Sequence, residues 1–317
     1  MPRSSIRLLA LLALLALAPV AGAQRQALQS APVDTTSPPA AVIPLWPAGA
    51  PGAVGDSSVD RPTLAVYPPP GRSSGAAVIV FPGGGYSHIA TGKEGILSAR
   101  WLAPLGVTTF VVQYRLGPRY HHPAMLQDGL RAVRTVRARA AEWHLDPSRI
   151  AILGYSAGGH LASTVGTHWA DSVSDARPRR DAIDTVSARP DLMMLVYPVV
   201  TMDSALTHRG SRRNLIGDSA PAALVRLMSN ETQVTPRTPP TLLVASTDDA
   251  TVPIENTIRL YQALRDAKVP VELHVFETGR HGFGTAVGDP YLSQWLRLAT
   301  TWLQRRGWIA PTAASAP

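Results

Sequence analysis

Ile150-Ala151-Ile152-Leu153-Gly154-Tyr155-Ser156-Ala157-Gly158-Gly159-His160-Leu161-Ala162 is the stretch on which the fold turns. Four apolar residues without a polar break read as a strand buried on both faces, and a helix is expected from about Ala157. Between them lies G-x-S-x-G, from Gly154 to Gly158. A strand that runs straight into a helix needs a sharp turn. Side chains at 154 and 158 would collide with neighbouring backbone, so the turn requires glycine at both, and Ser156 is pushed above the sheet edge. The helix behind it aims its first N–H groups and the positive end of its dipole at the same point. G-x-S-x-G alone is a weak signal; the strand–turn–helix setting gives it weight. A phosphate-binding glycine turn would want a Lys-Ser/Thr pair or G-x-G-x-x-G spacing, and neither is present here.

The same alternation extends on both sides. Ala77–Phe81 and residues 107–112 are apolar runs, as are 192–199, 241–245 and Val271–Phe276. Residues 124–143 have helical periodicity, with Met125, Leu126, Leu130, Val133, Val136 and Ala140 on one stripe and arginines opposite. Pro253 suits the first turn of a helix running to about Lys268, and a last helix spans 291–306. Doubly buried strands separated by helices predict a mostly parallel central sheet with helices on both faces. Such sheets carry their sites in the loops at the carboxyl ends of the strands.

Three of those loops carry chemistry. After Ala77–Phe81 comes Pro82-Gly83-Gly84-Gly85-Tyr86, where consecutive glycines let N–H groups turn toward a charge. Gly84 and Gly85 are the candidate oxyanion donors, with the N–H of Ala157 as the second arm. The strand at 241–245 runs into Asp248-Asp249, and either carboxylate suits the orienting acid. The last strand runs into His281-Gly282-Phe283-Gly284. Of the nine histidines, His281 alone lies in a glycine-flanked loop after the final strand. His274 sits inside that strand and reads as structural, and His160 packs or hydrogen-bonds near the start of the serine helix. His121-His122 reads as surface, since no third ligand stands at helical spacing. A serine hydroxyl needs a base and the base an orienting carboxylate; Ser156, an acid at 248 or 249, and His281 supply all three.

Composition removes other classes. Of 317 residues, 45% are hydrophobic, which excludes wholesale disorder. No cysteine is present, so disulfide frameworks, iron–sulfur clusters, thiol nucleophiles and cysteine-based zinc sites are excluded. The formal charge is +8, but no Lys/Arg block is interleaved with aromatics, so no nucleic-acid partner is expected. Residues 1–23 read as a signal peptide. Arg3 and Arg7 precede the short Leu/Ala run 8–18, and Ala21-Gly22-Ala23 gives a cleavage site before Gln24. The mature chain is expected to be exported, periplasmic or secreted, with no stable membrane insertion. Residues 24–58 form an extended Pro-rich lead-in with an edge strand around 41–45, residues 59–309 the main domain, and 310–317 a disordered tail.

These motifs resemble the α/β-hydrolase superfamily, whose order of serine, acid and histidine the chain follows. More narrowly, the chain is similar to exported bacterial esterases of the acetylxylan esterase or xylanase B-like group, which is related to feruloyl-esterase-like and hormone-sensitive-lipase-like branches. The resemblance covers about residues 43–306. It rests on Pro82 to Tyr86, Tyr114-Arg115-Leu116, Asp128 with Arg131 and Arg134, Gly154 to Ala162, Asp248 to Pro253 and His281 to Gly284. It implies an acid in an Asp-x-x-Val-Pro pattern, which falls on Asp249. Lipase-like members have His where this chain has Pro82, which argues against true membership of that branch. The resemblance further implies a small cap or lid insertion around 200–240. There Thr207-His208-Arg209-Gly210-Ser211-Arg212 is similar to a stretch of that group; a basic cap loop anchored by arginine is the plainer reading. Tyr86, Tyr155, His208 and Arg212 are the candidate substrate-binding residues. Asp128, Arg131 and Arg134 are expected to form an ion-pair set on one helix face. The function implied is hydrolysis of short, chiefly acetyl, esters on carbohydrate, with no metal and no organic cofactor. Rival readings are a serine exopeptidase of the prolyl-oligopeptidase type, a glycosidase needing two carboxylates, and a non-catalytic carbohydrate-binding protein.

Overall fold

A computed structural model describes residues 36–170 and 181–311. The signal segment, the lead-in before residue 36 and the tail from 312 onward lie outside the described residues. Eight strands form one sheet in the order β1-β2-β4-β3-β5-β6-β7-β8. They are β1 (Ala41–Pro44), β2 (Thr63–Tyr67), β3 (Ala77–Phe81), β4 (Thr108–Gln113), β5 (Ile150–Tyr155), β6 (Leu192–Val196), β7 (Thr241–Ser246) and β8 (Val271–Phe276). β1 pairs antiparallel with β2, and β2 with β4; every other pairing is parallel. Ile79 of β3 lies between Phe110 of β4 and Ile152 of β5, which fixes the register at the centre.

The unbroken apolar runs are explained by two cores, one on each face. Along β3, Ala77, Ile79 and Phe81 enter one core while Val78 and Val80 enter the other. Along β5, Ile150 and Ile152 alternate in the same way with Ala151 and Leu153. The first core is covered by α2 (Ala124–Ala138) through Leu126, Leu130 and Val133, and by α3 (Ser156–His168) through Leu161 and Val165. The second is covered by α1 (Leu97–Leu102) through Leu102 and by the C-terminal helix at Gln294–Arg305 through Trp295, Trp302 and Leu303. Each such side chain contributes about 1.5–3 kcal/mol on burial. Among the described residues, no helix is long and apolar enough to cross a membrane.

Four local features depart from the sequence reading or were absent from it. The helix predicted over 124–143 stops at Ala138, and Ala140–Trp143 forms a separate 3₁₀ turn whose Trp143 packs edge-on against Phe110 at 4.8 Å. β2 is half-buried and only five residues long, with Leu64 and Val66 inward. A π-helical turn over Thr91–Ile96 leads into α1. The ion-pair set expected on one face of α2 is corrected. Asp128 is fully buried and is gripped from outside the helix by Arg115 (Nε–Oδ2 2.9 Å, Nη2–Oδ1 2.8 Å) and by Trp46 Nε1 at 2.9 Å. Arg131 instead pairs with Asp181 and Asp184, and Arg134 lies near Asp184. A buried carboxylate needs donors on both oxygens, and the Arg115 fork supplies two while a helix neighbour at i+3 does not.

Candidate active site

Ser156 begins α3 directly at the end of β5. Its φ of +51° lies in the left-handed region that side chains rarely adopt, which marks a turn imposed by its surroundings. A β-carbon at Gly158 would stand 2.1 Å from the Phe81 carbonyl oxygen, and one at Gly154 would stand 2.5 Å from the Gly158 oxygen. Both glycines are therefore required by backbone approaching backbone.

The loops after β7 and β8 converge on this serine. His281 Nε2 is 2.8 Å from Ser156 Oγ, and His281 Nδ1 is 2.7 Å from Asp249 Oδ2. Asp249 is nearly buried, and its other oxygen accepts from the N–H groups of Thr251 and Val252, each at 2.9 Å. Of the two acids left open by the residues alone, Asp249 is the one bonded to the imidazole. Asp248 holds the histidine loop instead: its Oδ1 accepts from Gly279 N at 2.8 Å and Arg280 N at 2.7 Å, and these bonds keep its carboxyl below the usual range. The ring edge of Tyr197 packs on the imidazole with centroids 4.9 Å apart.

The glycine turn leans on the same serine. A β-carbon at Gly83 would lie 2.9 Å from Ser156 Cβ. Gly83 N–H is already committed to Glu94 Oε2 at 2.5 Å. The N–H groups of Gly84 and Gly85 donate to no acceptor among the described residues. Gly84, at φ +128°, tolerates no side chain, since a β-carbon would lie 2.1 Å from His88 O. Ala157 N–H belongs to the first turn of α3, where no intrahelical acceptor exists.

The structure brings one of the four candidate substrate-binding side chains to this cleft. His208 caps the helix α4 (Arg209–Ile216) in the segment between β6 and β7, and a β-carbon at Gly85 would lie 3.6 Å from its Cε1. Its Nδ1 accepts from Ser211 N at 3.2 Å and faces Ser211 Oγ at 2.8 Å, so its proton sits on Nε2. Burial, with the nearby His281, lowers its pKa and favours the neutral ring. The other three are turned away. Tyr86 is fully buried with its hydroxyl on His160 Nδ1 at 2.8 Å. Tyr155 is fully buried with its hydroxyl on Ser98 Oγ at 2.7 Å. Arg212 donates to the carbonyls of Met202 and Asp218 and so anchors its own loop. His160, on α3, also meets Met228 O through Nε2 at 2.8 Å, and burial pushes its pKa down to about 4.

Two buried residues of the site carry no sequence signal. Glu94 lies in the π-helical turn and receives the Tyr197 hydroxyl on Oε1 at 2.9 Å as well as Gly83 N–H on Oε2. Tyr197, at φ +39°, follows β6 and accepts from Gly284 N at 2.8 Å. No spacing rule announces a lone Glu one turn into a helix as buried, and a tyrosine after an apolar strand reads as core.

The family model BD-FAE matches residues 64–264, more than half of the chain. The chain belongs to the BD-FAE family, an α/β-hydrolase family. The BD-FAE match ends before His281, so that residue's place in the site rests on the geometry above. Among curated relatives, an acetylxylan esterase of Xylanibacter ruminicola is 32% identical over 74% of this chain and 46% of its own length. The endo-1,4-beta-xylanase B of Butyrivibrio fibrisolvens is 34% identical over 69% of this chain and 34% of its own. The chain thus spans less than half the length of either. Among solved structures, an acetyl ester-xyloside bifunctional hydrolase from Caldicellulosiruptor lactoaceticus is similar with a TM-score of 0.78 and 38% identity, covering 87% of this BD-FAE chain and all of its own.

Proposed function

We propose that this chain is a serine esterase that removes short acyl groups, chiefly acetyl, from carbohydrate, with Ser156 as nucleophile, His281 as base and Asp249 as orienting acid. The observation that carries the reading is the hydrogen-bonded chain from Ser156 Oγ through His281 to Asp249, beside glycine N–H groups that meet no acceptor among the described residues. In this reading His281 Nε2 takes the Ser156 proton as Oγ attacks the ester carbonyl, and Asp249 stabilises the imidazolium. The N–H groups of Gly84, Gly85 and Ala157 hold the oxyanion. The proton then passes to the leaving alcohol, and water, activated by the same imidazole, releases the acid and restores Ser156.

The carbohydrate ester is supported by the names of the similar proteins, an acetylxylan esterase and an acetyl ester-xyloside hydrolase. His208 Nε2–H, opposite Gly85, suits a donor to the substrate's oxygen atoms. A glycosidase needs two carboxyl groups roughly 5–9.5 Å apart and open to the sugar. The carboxyl groups tied to this site, Asp248, Asp249 and Glu94, all hold donors of the chain itself. Export of the mature chain belongs to the same proposal and rests on residues 1–23.

The test is turnover of p-nitrophenyl acetate and acetate release from acetylated xylan, with reducing sugar measured in parallel. Ser156→Ala is expected to lower kcat by about 10⁶-fold, as loss of a serine nucleophile does elsewhere. Asp249→Asn is expected to cost about 10⁴-fold by leaving the wrong imidazole tautomer. Ester turnover that survives Ser156→Ala removes the reading; reducing sugar without acetate supports the glycosidase.

A further inference from the structure

Beneath the cleft, one buried carboxyl group meets a donor on each of its oxygens. Gly83 N–H can only donate, and it donates to Glu94 Oε2. Gly284 N–H can only donate, and it donates to the Tyr197 hydroxyl oxygen. The Tyr197 proton is thereby directed to Glu94 Oε1. Both Glu94 oxygens act as acceptors, and a carboxylate serves both donors with no proton of its own to place. We infer that Glu94, as a carboxylate, is a positioning residue that sets the oxyanion turn Gly83–Gly85 against the imidazole of His281, through Gly83 on one side and Tyr197 on the other. This rests on the esterase reading of Ser156 and His281.

Three observations give the inference its force. Gly83 carries the turn whose next two N–H groups meet no acceptor among the described residues, so its tether fixes where they point. Tyr197 touches His281 edge-on and holds Gly284, three residues further along the same loop. Glu94 is buried in the protein, where a displaced hydrogen bond is not replaced by water. The titratable groups facing it are Tyr197, Tyr155 and Tyr114 from the sheet side, Lys93 beside it, and His281 above. Burial holds its pKa above the ordinary carboxyl value, outweighing the downward pull of Gly83, Tyr197, His281 and Lys93. Protonating Glu94 loosens one tether, so activity falls as Glu94 takes up its proton.

The experiment measures kcat and KM for a short-chain ester from pH 8 to pH 4 in wild type, Glu94→Gln and Glu94→Asp, with unfolding midpoints for each. A glutamine keeps one acceptor but turns an NH₂ toward the second donor. The expected result is a kcat lowered about 10- to 100-fold in Glu94→Gln with KM little changed. The wild-type acid limb of kcat/KM should be steeper than one proton, and Glu94→Gln should fall with a slope of one. Glu94→Asp should retain the steep limb. An unchanged kcat in Glu94→Gln, or acid limbs of equal steepness in that variant and wild type, overturns the inference. Where the glutamine variant does not fold, Glu94→Asp decides: a kcat equal to that of wild type, with the carboxylate drawn back from Gly83, overturns it as well. Ser156→Ala, run beside these, separates the two failures: if it is inactive while the Glu94 variants behave as wild type, only the role of Glu94 is lost.

Discussion

Two turns meet over the sheet edge, and they are held by different means. The elbow around Ser156 is fixed by backbone against backbone: Gly154 and Gly158 leave no room for a β-carbon, and Gly159 meets Pro198. The glycine turn is held by polar side chains from elsewhere. Glu94 takes Gly83 N–H, the Tyr114 hydroxyl donates to Pro82 O at 2.6 Å, Asn214 Nδ2 donates to Gly85 O at 2.8 Å, and His160 receives Tyr86. Those partners stand 11 to 129 positions away in the chain. Shape by exclusion is written within a few residues; shape by hydrogen bonding is written across the whole fold. The first should fail abruptly when broken, and the second by degrees.

The largest effect is expected at the elbow. In Gly158→Ala the new methyl group meets two carbonyl oxygens, Phe81 O at 2.1 Å and Pro82 O at 2.4 Å, neither of which can swing aside as a side chain would. The expected outcome is loss of soluble folded protein, or an unfolding midpoint lowered by more than ~10 °C, read by thermal melting. A variant that melts like wild type would mean the two backbones have slack.

An intermediate effect is expected from the polar support, through acid. His160 is buried and its pKa is about 4, against an ordinary value near 6.5. The unfolded chain therefore takes up this proton first as pH falls. Stability from His160 is full above about pH 6.5, declines below it, and is lost as pH approaches 4. By pH 5 the loss is about 2 kcal/mol. Urea midpoints of wild type and His160→Gln at pH 7 and pH 5 check this: the variant should start lower at pH 7 and change less. Equal slopes in the two proteins would show that His160 does not titrate with unfolding.

The smallest effect is expected at Asp248. Its carboxylate is exposed and collects two N–H groups of the histidine loop. Asparagine keeps an acceptor oxygen, so Asp248→Asn should lower kcat less than about tenfold, as both surface bonds are weakened rather than removed. A loss as large as that of Asp249→Asn would reverse the roles of the two neighbours.

How far the sequence could be read follows the same division. Alternation of apolar runs and helical stripes was legible because both faces of the sheet are covered, which leaves no polar residue inside β3 or β5. The elbow was legible because its glycines stand within five residues of one another. Asp248 and Asp249 were not separable from residue type alone: they are adjacent and identical, and differ in that one turns inward and one outward. The Asp-x-x-Val-Pro resemblance pointed to the inward one. Tyr86 and Tyr155 stand next to the reactive motifs in sequence, yet both rings are buried, with their hydroxyl groups taken up by His160 and Ser98. Glu94 and Tyr197 were silent, since nothing local requires a carboxylate to be buried eleven residues after a glycine turn.

One fully buried side chain joins parts of the molecule that the chemistry keeps separate. Asn256, at the start of the helix Glu255–Asp266, accepts from Val200 N and Thr201 N and donates to Leu206 O. Its amide also donates to Pro253 O, so it ties the segment leading to His208 to the turn that follows Asp249. In the proposed esterase reading, remodelling the His208 segment to admit a bulkier alcohol would also disturb the turn that seats Asp249, so the two changes are coupled on this scaffold.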